Sequence, residues 1–193
     1  MIGLIAVLRM ATSKPKTSRS LALPADTFTA EPPPPIVPLP PAAQEEHLAQ
    51  SHTTMTILSE QGKDCLACAE SSGCLDAKEH GNPCESATGY AAGCGEGVTE
   101  TDMCLRTLMG VFSTKCAETL QQVPCLCGTT DAEECLTGAS VPTGPLYRDY
   151  ACDFKTNNVA TIQTNFREPK FGAGIANDLI QCMASSDCKC FGN

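Results

Sequence analysis

The sequence predicts an all-α protein: a small, loop-rich helical domain stapled by up to seven disulfides and preceded by a disordered Pro-rich segment. Three observations predict it. All fourteen cysteines fall between Cys65 and Cys190, a local density of about 11 %, which is the level at which a chain reads as a disulfide scaffold. Apolar residues recur at helical spacing in several windows, and no alternating strand pattern of useful length occurs. The chain holds three Tyr, six Phe and no Trp. An aromatic-rich core is therefore excluded, and crosslinks must supply what a thin apolar core cannot.

Residues 1–21 open with the apolar run MIGLIAVL, and Arg9, Lys14, Lys16 and Arg19 follow with no acid before Asp26. A secretory signal places basic residues first and roughly 7–15 apolar ones after them. Here the order is reversed, and so short a run cannot span a bilayer, which takes about 20 residues. Residues 1–21 therefore read as the remnant of a signal or membrane anchor whose true start lies upstream. Residues 22–58 read as a disordered linker. The run EPPPPIVPLPPA (31–42) holds seven of the fourteen prolines, and consecutive prolines build an extended rod of about 3 Å per residue. PLPP also has the look of a ligand for a small recognition domain, but a stiff spacer is the simpler reading. His47 and His52 read as solvated.

Residues 59–193 form the predicted domain, with 9 basic against 18 acidic side chains, while the first 59 residues balance at 4 and 4. The expected elements follow in order. DCLACAESS (64–72) reads as a short helix closed by Gly73. Residues 74–101 are a Gly-rich loop region that only crosslinks would hold. Thr99 or Thr101 caps a helix running to about Leu120, with Leu105, Leu108, Phe112, Cys116 and Leu120 on one face. Pro124 ends that segment. Thr130 with Glu133 makes a capping box for a helix holding Cys135, stopped by Gly138. Residues 146–152 make a helical turn. Asn158 caps a helix to about Phe166. A last helix over 171–185 places Phe171, Ile175, Leu179, Cys182 and Met183 on one face.

The candidate disulfide residues are Cys65, Cys68, Cys74, Cys84, Cys94, Cys104, Cys116, Cys125, Cys127, Cys135, Cys152, Cys182, Cys188 and Cys190. An even count permits full pairing, but pairing cannot be read from spacing, and about 10⁵ connectivities exist. Geometry removes a few. Cys104 and Cys116 on one helix would lie about 18 Å apart, too far to bond. Cys125 and Cys127, like Cys188 and Cys190, are separated by one residue, so each reaches a different partner.

Three stretches, PCLCGTTDAEECLTG (124–138), GPLYRDYACDF (144–154) and FGAGIANDLIQCMASSDCKCF (171–191), together with the opening CLACAESSGC (65–74), carry a family likeness. The chain resembles cysteine-rich exported proteins of unknown function in myxobacteria and related delta-proteobacteria. The resemblance covers about residues 65–191. It implies an extracellular or envelope location and brings no catalytic residue with it.

Several chemistries are excluded on residue inventory. CLAC has the spacing of a redox motif, but Ala69 stands where haem attachment requires His. Cys65 and Cys68 with Cys125 and Cys127, or with Cys188 and Cys190, would make a zinc set in a reducing compartment. His80 beside Glu79 has no GxSxG serine to activate, and Glu133 and Glu134 point apart as helix neighbours. GAGIAN (172–177) lacks the preceding strand and the Lys of a phosphate loop, so its glycines read as sites of close helix approach. The acidic balance opposes nucleic-acid binding. No cofactor set is recognised. Tyr90, Tyr147, Tyr150, Phe154, Phe166 and Phe171 read as core, with Tyr147, Arg148 and Tyr150 as a candidate binding face. The expected protein is a non-enzymatic secreted, periplasmic or cell-envelope protein whose partner is a protein or envelope component. The alternatives are a thiol-active protein using Cys65 and Cys68 and a carrier of a small apolar ligand.

Overall fold

The computed structural model describes residues 52–76, 83–118, 122–166 and 168–191. Among them are eight α-helices, one 3₁₀ turn and no strand; the isolated antiparallel bridge between Tyr90 and Thr99 is the nearest approach to a sheet. His47, His80 and Leu120 lie outside the described residues.

The fold starts earlier than residue 59. Helix α1 spans Thr54–Glu60, with the Thr53 side chain accepting from the Thr56 amide. Ile57 and Leu58 are buried in the core. The Glu85 carboxylate accepts from the Thr54 amide and hydroxyl, both at 2.7 Å, and the Cys84 amide donates to the Thr54 hydroxyl at 2.8 Å. Residues 54–58 thus belong to the folded body and not to the linker. Their helix depends on a carboxylate distant in sequence, which local pattern does not reveal. Helix α2, Lys63–Ser71, turns Cys65 and Ala69 inward.

The 3₁₀ turn Cys84–Ser86 leads through the glycine-rich loop to α3, Glu100–Thr114. The Thr99 hydroxyl accepts from the Asp102 amide, and the Asp102 carboxylate accepts from the Thr99 amide, so Thr99 is the cap. Helix α3 ends at Lys115, whose φ is 54°, earlier than its apolar periodicity suggests. The turn sends Cys116 back toward Cys125. Pro124 does not end a segment; it lies in the first turn of α4, Val123–Cys127, where its missing amide donor costs nothing. Helix α5, Ala132–Thr137, is capped by Asp131, whose carboxylate accepts from the Glu133 and Glu134 amides. Thr130 instead donates to the Val141 carbonyl. The shorter, charged Asp131 side chain takes the cap because it sits one residue nearer. Gly138 closes the helix at φ 78°.

Helix α6, Tyr147–Asp153, follows a loop that bonds back onto α4. Asn158 caps α7, Val159–Asn165, by accepting from the Thr161 amide at 2.9 Å. Helix α8, Gly172–Ser185, packs along α3. Leu105, Leu108, Val111 and Phe112 share one core with Ile175, Leu179, Ile180 and Met183. Gly172 makes the approach possible, because a Cβ there would overlap the Glu100 carbonyl oxygen. A second cluster joins Tyr150, Phe154, Phe166 and Phe171, with ring centroids 4.7 to 6.1 Å apart. Tyr90 is not core. It is 70 % exposed, because the Gly-rich loop holds its backbone against Thr99 and turns its ring outward.

Candidate functional site

All fourteen cysteines are paired and none is free. Three bridges nest: Cys65–Cys190, Cys68–Cys188 and Cys74–Cys182, with Cα separations of 4.6, 5.5 and 5.6 Å. They tie α2 and its exit to α8 and the tail after it. Cys84–Cys104 clamps the 3₁₀ turn to α3, and Cys94–Cys152 straps the Gly-rich loop to α6. Cys116–Cys125 and Cys127–Cys135 close two short loops around α4 and α5. Cys104 and Cys116 take different partners, but Cys116 lies past the end of α3 and not on that helix as expected. Both C-x-C pairs distribute their members to different partners, because side chains two apart leave the chain in different directions.

The CLAC spacing does not form its own bridge. Cys65 and Cys68 sit one turn apart on α2 and meet Cys190 and Cys188 respectively. The grouping of CLAC with CKC, one of the two sets weighed as zinc ligands, is therefore real in space, but its sulfurs are spent in two disulfides. Among the described residues no cluster of His, Cys, Asp and Glu is arranged to hold a metal ion.

The candidate binding face divides. Arg148 is exposed, and Tyr147 is half-buried, its phenol pushed to higher pKa by that burial. Tyr147 lines a shallow groove of about 240 Å³ with Pro142, Asn157, Asn158 and Val159. Tyr150 does not join them. It is fully buried against Phe154 and Phe166, and burial followed by the nearby Asp149 charge raises its phenol far above the usual range. Two residues separate the two tyrosines on α6, yet Tyr150 enters the aromatic cluster while Tyr147 lines the groove. A second groove, about 190 Å³, lies between Phe112, Lys115 and Phe191.

Sequence reasoning did not find the most unusual polar group of the interior. Glu100, at the start of α3, and Asp153, at the end of α6, are both buried under the first turn of α8. The Gly172 amide donates to Glu100 Oε2 at 2.7 Å, and the Ala173 amide donates to Asp153 Oδ2 at 2.8 Å. Burial, followed by the neighbouring Glu100 side chain, pushes Asp153 up to about 8. Glu100 reads in the sequence as an ordinary first-turn acid. The only signal was Asp153 itself, an acid next to the apolar residues of a helix end.

Bridges and helices together define a class, the disulfide-stapled all-helical protein. No family model matches the chain, and neither a curated protein nor a solved structure does.

Proposed function

We propose that this is a non-enzymatic protein of the cell envelope or the extracellular space. In this reading the crosslinked helical body binds a protein or envelope component, and the Pro-rich run 31–42 spaces it from its point of attachment. The observation that carries the reading is the complete pairing of fourteen cysteines, which a reducing cytosol would not sustain. The acidic charge of the domain suits an aqueous exterior. No described helix is long and apolar enough to cross a membrane, so attachment would fall to residues 1–21. The resemblance to cysteine-rich exported myxobacterial proteins agrees with this location.

The alternatives have less support. Thiol exchange through CLAC would require opening two bridges whose Cys65, Cys188 and Cys190 are buried. An apolar carrier would use a cavity of about 300–1,000 Å³, and the two grooves described are shallower, at 190 and 240 Å³.

The test is the intact mass of protein purified from its native host, before and after reduction. A gain of about 14 Da, one per thiol released, with the N-terminal segment cleaved, is expected. No gain on reduction, with Met1 retained, would overturn the assignment in favour of a cytosolic thiol or metal protein.

A further inference from the structure

Two acids meet inside this protein where one helix begins. Glu100 is 6 % exposed and Asp153 is 0 % exposed. Each accepts one backbone amide of α8, from Gly172 and Ala173. Asp153 Oδ1 is buried and has no donor among the described groups, and Glu100 is the neighbouring acid that pushes its pKa up. Ionised carboxylates only accept hydrogen bonds, so the orphaned Asp153 oxygen can engage another acceptor only when it carries a proton. Two buried acids held at one helix start work against the ionised form of Asp153.

The neighbouring charges do not neutralise the pair. Lys155, two residues past α6, is the cation that favours the ionised form of Asp153. Arg106 on α3 pairs with Asp149 on α6 at 3.8 Å, and Lys170, just ahead of α8, pairs with Glu168 at 3.8 Å. Glu85 on the 3₁₀ turn is engaged with Thr54.

We propose that Asp153, buried beside Glu100, holds a proton and that the two acids act as a proton-dependent latch that fastens the first turn of α8 onto α3 and α6. Loss of the proton sets two buried negative charges against each other, and that repulsion loosens the turn that holds them. Cys182, Cys188 and Cys190 keep the far end of α8 attached, so opening is local and the helix is not released. The latch is independent of where the protein resides.

The sign follows from proton counting. Burial, then the neighbouring Glu100 side chain, raise folded Asp153 to about 8, against the lowering effects of the Ala173 amide and Lys155; the unfolded value is 3.8. Between those values the folded chain holds a proton that the unfolded chain has released. Stability from this group is therefore greatest below about pH 4, falls as pH rises to about 8, and is flat above.

The experiment is guanidinium unfolding of the oxidised full chain from pH 4 to 9, for the natural protein, D153N and E100Q. It is joined by carboxyl ¹³C NMR of Asp153 and amide hydrogen exchange at Gly172 and Ala173. The expected results are a carboxyl midpoint near 8, faster exchange of the two amides above it, and a smaller fall in stability with pH in D153N. Asn keeps an acceptor for Ala173 and a permanent donor, so it imitates the protonated state. A carboxyl midpoint near 4, or a D153N pH profile parallel to that of the natural protein, would overturn the latch. Should D153N fail to fold, the carboxyl titration of the natural protein decides alone.

Discussion

Replacing Cys68 and Cys188 together with Ala removes a bridge spanning 120 residues. In an otherwise open chain, a crosslink of that span would restrict the unfolded state by about 5 kcal/mol. Here it is flanked on both sides, by Cys65–Cys190 outside and Cys74–Cys182 inside. With those two intact, the middle bridge only divides a ring of about 17 links into rings of roughly 5 and 12. The same loop-closure relation then predicts a loss of about 2 kcal/mol. Lost packing adds little, since Cys68 is half-buried and only Cys188 is in the core. Far-UV circular dichroism of the oxidised variant in guanidinium chloride reads the difference. A loss of about 5 kcal/mol, the value for an isolated crosslink, would refute the argument from nesting. Removing all three outer bridges should cost more than the sum of the three single removals, because each alone is covered by its neighbours.

Three further outcomes are expected. Tyr150→Phe should change stability by less than about 1 kcal/mol, because the hydroxyl is buried with no partner; a loss above 2 kcal/mol in the same unfolding assay would point to a bond to that oxygen. Gly172→Ala should destabilise by about 1–3 kcal/mol, since its Cβ would overlap the backbone of α3 at Glu100 and Cys104; an unchanged unfolding midpoint would show that the two helices separate at little cost. Under graded reduction with alkylation mapping, Cys94–Cys152 should open first, because it is the bridge whose two cysteines are both half-exposed, while each of the others buries at least one. Earlier opening of Cys84–Cys104, buried at both ends, would contradict accessibility as the governing factor.

Helix ends were legible where a cap is satisfied by its own neighbours. Thr99, Asn158 and Gly138 act as read, since each works through bonds spanning a few residues. The stripe Leu105, Leu108 and Phe112 faces the core for the same local reason, the helical period. Reading failed where a distant group decides. The cap of α5 moved one residue, from Thr130 to Asp131, when Thr130 found the Val141 carbonyl. Helix α1 was hidden because only two buried apolar residues, Ile57 and Leu58, mark it, and its first turn is bonded by Glu85. Tyr90 went outward and Tyr150 inward, although both look alike in sequence.

By itself the sequence determined the class: a helical body crosslinked by its own cysteines, capped by local side chains and too poor in aromatics to do without bridges. Composition and helical period are properties of short windows, and they survive whatever the rest of the chain does. Only the tertiary structure decided which cysteines meet, that CLAC is divided between Cys188 and Cys190, and that Glu100 and Asp153 share the start of one helix. The two CLAC bridges and the Glu100–Asp153 pair join residues 53 to 125 positions apart. A bond of that reach depends on where the helices pack, and no local spacing records it.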